Sequence, residues 1–240
     1  MKNIKSVYII VIFTILISWG IRFVCYANAA EPPSIIIIVP NAPDDLKISI
    51  ETDGKSYDGR VHDKVIEKYY TFYRYDIKEL NNYKLNVSTN NESYELKMDK
   101  PIKYYNNIYS LNLKTHMLSE GKLLTRSIIL VSMRVMLTLL IESIVFFCFG
   151  FRHKKSWLAF LAINLVTQGV LNLWLNGFTP TQSYVVLSMV FGEVLVFIAE
   201  ILAFLAFCKE YSNLRKVLYV LAANLVSLIA GGYIITILPI

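Results

Sequence analysis

Residues 128–150 read IILVSMRVMLTLLIESIVFFCFG, and this apolar stretch decides the fold of the chain. A helix needs roughly 20 apolar residues to cross the hydrocarbon core of a membrane, and this stretch is long enough. Similar stretches follow, so the predicted spans cover residues 128–150, 157–175, 184–207 and 217–238. The sequence therefore predicts that residues 123–240 form an all-α bundle of four transmembrane helices.

The charged residues are kept apart from these stretches, so a chain that is 55% hydrophobic can still be 18% charged. The formal net charge is +6, but many basic residues lie in the short loops at 152–155 and 209–216. Basic residues beside a span set its orientation in the membrane. Nucleic-acid binding requires them to cluster on a soluble face instead, so we predict no nucleic-acid partner.

Residues 1–30 predict a secretory signal peptide. Lys2 and Lys5 precede an apolar run at 7–19, and the small residues at 27–30 resemble a cleavage site. An uncleaved amino-terminal anchor is the alternative, because Arg22 is unusual before a cleavage site. In both cases the segment after residue 30 is exported.

The loops predict the orientation of the spans. Both basic loops fall on one side of the membrane, and the positive-inside rule makes that side cytoplasmic. An exported segment before the first span gives the same answer. We therefore expect a multi-pass protein of the cell membrane, in contact with the lipid bilayer, with residues 31–122 outside and both basic loops in the cytoplasm.

Residues 31–122 show the alternation of apolar and polar residues that is typical of strands. A β-branched run at 35–39 lies between prolines, and other segments place an apolar residue at every second position. These other segments are 46–50, 85–87, 94–98 and 109–113. We predict a small all-β extracytoplasmic domain, an antiparallel sandwich that needs no disulfide because it contains no cysteine. The polar residues 52–63 predict a loop.

The chain shows none of the motifs that are typical of soluble enzymes. His62, His116 and His153 all lie outside the predicted spans, so there is no pair of zinc ligands at helical spacing. The sequence also lacks a phosphate-binding glycine loop and a nucleophile elbow. We predict no catalytic residue, no metal site and no cofactor.

Each predicted span has one polar stripe, because its polar residues are spaced by three, four or seven positions and so share a helical face. The stripes are Arg134, Thr138 and Glu142 on the first span, Asn164, Gln168 and Asn172 on the second, Glu193 and Glu200 on the third, and Asn224 and Ser227 on the fourth. We expect the stripes to face one another inside the bundle. The aromatic residues Phe146, Phe147 and Phe149 are expected to face lipid or the interface.

The depth of each residue in the membrane divides the stripes into two levels. At a rise of about 1.5 Å per residue, Glu142, Glu200, Asn164 and Asn224 fall together in the inner half. No second cation lies at this level. Because two carboxylates in a low-dielectric site cannot easily both ionise, one should hold a proton or bind a cation.

Arg134 and Glu193 fall together in the outer half, with Gln168 and Asn172 facing them. An ion pair between Arg134 and Glu193 would offset much of the burial cost of each charge, so we predict a structural ion pair. For the asparagines and Ser227 the alternative is ordinary interhelical hydrogen bonding, worth about 0.6 kcal/mol on average.

Three functions are consistent with this pattern. In the leading hypothesis, the exported domain binds or senses an extracytoplasmic ligand, and the bundle relays the signal or forms a homo-oligomer. In the second, the protein is a component of a proton- or cation-coupled transporter or channel that uses Glu142 and Glu200; four helices are few, so it needs an oligomer or a partner membrane protein. In the third, an intramembrane enzyme uses the two glutamates as acid and base and needs a lateral opening to lipid beside Glu142.

Overall fold

The computed structural model describes residues 33–73, 83–98, 107–180, 184–237 and 239. They belong to one compact unit, Glu31–Ile240. The predicted signal peptide lies outside the described residues. A β-sheet region at residues 34–120, called the β-region below, is followed by four helices, which confirms the predicted order of the two parts. The domain boundary between residues 122 and 123 stays a prediction.

The β-region contains nine described strands in two sheets. They are β1 Ser34–Pro40, β2 Lys47–Thr52, β3 Lys55–Asp58, β4 Arg60–Lys64, β5 Glu67–Tyr73, β6 Lys84–Ser88, β7 Ser93–Lys97, β8 Asn107–Asn112 and β9 Met117–Glu120. The strand order is β4-β5-β1-β8-β9 in one sheet and β3-β2-β6-β7 in the other. The described pairings are antiparallel except that of β1 with β8, which is parallel. The antiparallel prediction is wrong for that pair, because a long connection containing the second sheet lets β8 return in the same direction as β1.

Two strands lie where the sequence predicts a loop. β3 and β4 occupy most of residues 52–63, and each is a largely exposed strand at the edge of its sheet. An exposed edge strand needs no apolar alternation, so its polar composition conceals it. Asp53 and Gly54 join β2 to β3 with positive φ values of 49° and 72°, and an Asp-Gly pair of this kind is a strong hairpin signal.

β1 lies in the middle of the five-stranded sheet, and its alternate residues point to opposite faces. One set packs in a core that both sheets share, which includes Ile35, Ile37 and Val39 from β1, Ile48 and Ile50 from β2, and Leu85 and Val87 from β6. The other set, Ile36 and Ile38, packs with Tyr69. Burial on both faces explains why β1 is a continuous apolar run.

The four helices are α1 Leu124–Cys148, α2 Lys154–Asn176, α3 Val185–Phe207 and α4 Asn213–Ile237. All four are long and apolar enough to cross a membrane, which confirms the four predicted spans and indicates a multi-pass membrane protein. α1 and α4 begin earlier than predicted, because basic residues in their first turns extend the helix without adding hydropathy. α1 ends before Gly150, whose φ of 87° is left-handed.

Each helix packs mainly against two neighbours, in a ring with the order α1-α2-α3-α4. The outward faces are apolar, and Leu158, Leu195 and Phe207 are 69%, 69% and 72% exposed. The inward faces combine apolar with polar side chains, and Phe146, Glu142 and Asn224 are completely buried there. This distribution is typical of helices surrounded by lipid, where polar groups turn towards one another.

Candidate functional site in the helix bundle

Nine of the polar residues in the predicted stripes are buried, with at most 7% of their surface exposed, and Thr138 is half-buried. The nine are Arg134, Glu142, Asn164, Gln168, Asn172, Glu193, Glu200, Asn224 and Ser227. Their spacing along each helix explains this burial, because it places them on one face. The structure thus brings these residues of the four stripes into the bundle interior.

Glu200 on α3 contacts both neighbouring helices. Thr167 Oγ1 on α2 lies 2.7 Å from Glu200 Oε1, and Asn224 Nδ2 on α4 donates to Glu200 Oε2 at 2.6 Å. The structure therefore brings Glu200 and Asn224 together, as the depth argument expects. Thr167 lies beside the α2 stripe and not within it, and for this residue the sequence favours an ordinary interhelical hydrogen bond.

Glu142 on α1 lies near Glu200 and contacts α4. Its Oε1 is 3.0 Å from Ser227 Oγ, and its Oε2 has no hydrogen-bond partner among the described residues. Glu142 and Glu200 are close enough to interact electrostatically. In the described part of the chain neither forms an ion pair. These two side chains are called the carboxyl pair below.

Asn164 does not join the carboxyl pair directly. Its Nδ2 donates to the backbone carbonyl of Phe160 in its own helix at 2.9 Å. The side chain lies beside Tyr219, which is itself within electrostatic range of both glutamates. The sequence does not predict Tyr219 as a residue of the site, because an aromatic residue near the start of a span is usually an interfacial anchor.

A polar cavity of about 30 Å³ lies between the carboxyl pair and the β-region end of the bundle. It is called the outer cavity below. Its lining includes Arg134, Thr138, Gln168, Asn172, Glu193 and Ser227. Three of its polar atoms have no hydrogen-bond partner among the described residues, namely Arg134 Nη1, Gln168 Nε2 and Glu193 Oε2.

The predicted ion pair between Arg134 and Glu193 is not formed in the described structure. Both residues line the outer cavity, as their common depth predicts, but their charged groups do not come within 4.0 Å of each other in the described structure. Arg134 Nη2 donates instead to the backbone carbonyl of Pro239 at 2.5 Å. Asn172 contacts neither of them by a hydrogen bond, and its Nδ2 donates to the Gln168 carbonyl.

Aromatic side chains fill the other end of the bundle. Phe146 is completely buried, and its ring centroid lies 4.3 Å from that of Phe151 and 4.9 Å from those of Phe160 and Tyr219. With Phe204 these residues form the aromatic cluster. The expectation that Phe146 faces lipid or the interface is wrong, because it lies one turn beyond Glu142 on the same inward face.

Two apolar grooves of about 370 and 560 Å³ open between α2 and α3 towards the lipid-facing surface. Thr167 lines both of them, whereas Glu142 lines neither. The lateral opening beside Glu142 that an intramembrane enzyme requires is therefore absent from these grooves.

A buried ion pair joins the β-region to the bundle. Arg126 on α1 donates to both carboxylate oxygens of Glu67 on β5, with Nε 2.7 Å from Oε2, and also donates to the Tyr69 hydroxyl. The side chains of Arg126 and Glu67 are only 6% and 2% exposed. The sequence does not predict this ion pair, because nothing in it shows that β5 and the start of α1 meet.

Lys122 lies just before α1, at the boundary between the β-region and the bundle, and connects this boundary with α2. Its Nζ donates to the backbone carbonyls of Asn176 and Phe178 at 2.8 and 2.6 Å, at the carboxyl end of α2. Burial lowers the pKa of Lys122 to about 7, and the positive charges of Arg126 and Arg134 lower it further than Glu67 raises it. Lys122 therefore changes charge near neutral pH.

No protein-family model, curated protein or solved structure matches the chain. Function must therefore be inferred from the site itself, since a fold alone does not specify an activity. The features available for that inference are the carboxyl pair, the outer cavity, the aromatic cluster and the junction at Arg126.

Proposed function

We propose that the helix bundle binds a proton at the carboxyl pair, and that the protein is a proton-coupled membrane component. The observation that supports this most directly is the burial of Glu142 and Glu200 within electrostatic range of each other, with no ion-paired cation in the described structure. One charge at the membrane centre costs about 2.5–3.5 kcal/mol on insertion scales, and two like charges also repel each other. A shared proton removes one charge and the repulsion.

The hydroxyl contacts of the pair support a shared proton. Ser227 Oγ lies 3.0 Å from Glu142 Oε1 and 3.1 Å from the backbone carbonyl of Asn224. A hydroxyl has one hydrogen and can donate to only one of these two acceptors. When Ser227 donates to the carbonyl, as serine often does within a helix, a protonated Glu142 can donate to Ser227. Thr167 has the same choice between Glu200 and the Ile163 carbonyl.

A proton fits this site better than a metal cation does. The described residues contain no group of three or more His, Cys, Asp or Glu side chains placed to hold a metal ion. Calcium requires six or more oxygen ligands. A proton requires only a carboxyl oxygen and an acceptor, which Glu142 and Ser227 provide.

The proposal extends to the placement of the chain. The two sheets of the β-region would form a sandwich outside the cell, and the loops after α1 and α3 would lie in the cytoplasm. The contacts of Arg126 and Lys122 put the β-region at the end of the bundle where α1 begins, and the basic loops lie at the other end. A bundle of four helices would act with a second copy or with a partner membrane protein.

Infrared spectroscopy of the purified protein in lipid tests the proposal, because a protonated carboxyl group has a carbonyl band that a carboxylate lacks. We expect the wild-type protein to show this band at neutral pH, and Glu142→Gln and Glu200→Gln each to remove or shift it. Glu95→Gln is the matched control, since the Glu95 side chain is 59% exposed in the β-region. A wild-type spectrum without a protonated carboxyl group at neutral pH would refute the proposal.

A second candidate function, sensing of an extracytoplasmic ligand, is favoured by the junction. The Glu67–Arg126 ion pair connects β5 with α1, and Lys122 connects the start of α1 with the end of α2. A ligand that shifts β5 would move these helices. Glu67→Gln should then uncouple the two parts, which disulfide cross-linking between helices would detect as a loss of ligand-dependent change.

A further inference from the structure

The position of Ser227 makes it the link between the outer cavity and the carboxyl pair. Ser227 is one of the residues that line the cavity, and its Oγ lies 3.0 Å from Glu142 Oε1. A serine hydroxyl can accept one hydrogen bond while it donates another. Ser227 can therefore take a proton on one side while releasing one on the other.

The outer cavity has the size and the polar groups to hold water. Its volume of about 30 Å³ exceeds the roughly 10–15 Å³ that a water molecule requires. Arg134 Nη1 and Gln168 Nε2 are donors and Glu193 Oε2 is an acceptor, and none of the three forms a close hydrogen bond among the described residues, although the Gln168 side chain lies near enough to the Glu193 carboxyl group to interact with it. A buried water usually has two to four polar partners, and these atoms can supply them.

Charged groups continue from this cavity towards the β-region. Arg134 is within electrostatic range of Arg126 and Glu67, which form the buried ion pair at the junction. Glu193 is within range of Glu200 and Glu142 on the opposite side. Polar and charged side chains thus extend from the junction to the carboxyl pair.

The opposite end of the bundle has no comparable path in the described structure. Phe146, Phe151, Phe160 and Phe204 are completely buried there, and Tyr219 is 1% exposed. Phe146 packs against Trp157 as well, with ring centroids 5.1 Å apart. Close-packed aromatic rings offer no room for a chain of waters.

We propose that the carboxyl pair exchanges its proton with the β-region side of the membrane, through the outer cavity and Ser227, and that the aromatic cluster closes the other side. This inference rests on the proposed proton-binding function. A hydronium ion that reaches the cavity gives its proton to Ser227 Oγ as the Ser227 hydrogen passes to the Glu142 carboxylate at Oε1, which leaves a water molecule, an intact serine and a protonated Glu142. The titratable groups that face the pair are Arg134 and Glu193 across the cavity and Tyr219 on the inner side.

The test uses the full-length protein in sealed vesicles in which every β-region faces the same side. The pH is changed on one side at a time, and the infrared carboxyl band is followed with time. We expect the band to respond quickly to the β-region side and slowly to the other. Ser227→Ala should slow the fast response by roughly tenfold or more, the effect of about 1.4 kcal/mol in barrier height.

The variants separate a path from a merely structural role. Ser143→Ala is the matched control, because the Ser143 hydroxyl donates to a carbonyl of its own helix and contacts neither glutamate. Phe146→Ala should speed the response from the loop side. A wild-type band that responds first to the loop side, or an unchanged rate in Ser227→Ala, would overturn the proposed path while leaving proton binding intact. Absence of the band would refute proton binding itself.

Discussion

The β-region and the helix bundle differ in the polar side chains that their cores contain. The core that the two sheets share is aliphatic and aromatic, with Ile37 and Ile50 completely buried. The bundle also has buried apolar side chains such as Phe146, but it buries Glu142 and Asn224 completely among them and exposes many apolar side chains on its outer surface. Apolar burial stabilises a structure only where the alternative is water, whereas in lipid it is the polar groups that must find partners. Each core is thus suited to a different solvent.

Replacing Arg126 should have the largest effect on stability, because this residue joins the two regions. Arg126→Ala leaves the Glu67 carboxylate buried without its partner, and breaking a buried pair in this way costs about 3–5 kcal/mol. The measurement is the free energy of unfolding in detergent. Lys84→Ala is the control, since it removes a pair with Glu95 in which the two side chains are 46% and 59% exposed, and it should cost less than about 1 kcal/mol. Equal losses in the two variants would contradict the assigned role.

Shortening an apolar side chain should lower the free energy of unfolding much more in the core of the β-region than on the outer surface of the bundle. Ile37→Ala removes a completely buried side chain, and such changes cost about 2–5 kcal/mol. Leu165→Ala shortens a side chain that is 58% exposed on the lipid-facing side of α2, so its effect should be much smaller. Chemical denaturation of both variants makes the comparison. The prediction is wrong if Ile37→Ala and Leu165→Ala lower the free energy of unfolding by the same amount.

The boundary between the two regions should respond to pH through Lys122. The folded protein lowers the pKa of this lysine from 10.5 to about 7. Between these values the folded state binds fewer protons than the unfolded state, so stability should rise as the pH increases above about 7 and should not change through Lys122 below it. Lys122→Met should remove this rise in melting temperature, whereas the exposed control Lys114→Met should keep it. Identical pH profiles of wild type and Lys122→Met would exclude the effect.

Glutamine at the carboxyl pair should have the smallest effect on stability. Glu142→Gln keeps the shape of the side chain and removes a charge whose burial is unfavourable, so the free energy of unfolding should stay the same or increase slightly. Proton-linked activity should disappear at the same time. A loss of stability as large as that of Ile37→Ala would show that the charge of Glu142 holds the bundle together.

The sequence predicts those helices and strands in which the spacing of apolar residues follows from which side chains are buried. The four apolar runs and the alternating strands are visible because burial selects apolar residues at regular spacing. β3 and β4 are not visible in this way, since edge strands are exposed, although Asp53-Gly54 marks the turn that precedes β3. The parallel pairing of β1 with β8 depends on contacts between distant segments and leaves no local pattern.

The candidate site could be predicted only in part for a similar reason. Helical spacing predicts which side chains face inward, and the same rule would have placed Phe146 with them. It does not give distances across the bundle, so Arg134 and Glu193 share a level without forming an ion pair in the described structure. Thr167 and Glu67 belong to contacts between elements, and their roles follow from packing and not from spacing.

The parallel pairing of β1 with β8 has a consequence for the order of events during synthesis. β1 leaves the ribosome early, but its neighbour in the sheet, where Ile35 pairs with Asn107, is made only after almost the whole β-region. Contacts between segments so distant in sequence form slowly. The central strand therefore stays without one of its two neighbours until almost the whole β-region has been made, so the five-stranded sheet can be completed only shortly before α1 is synthesised.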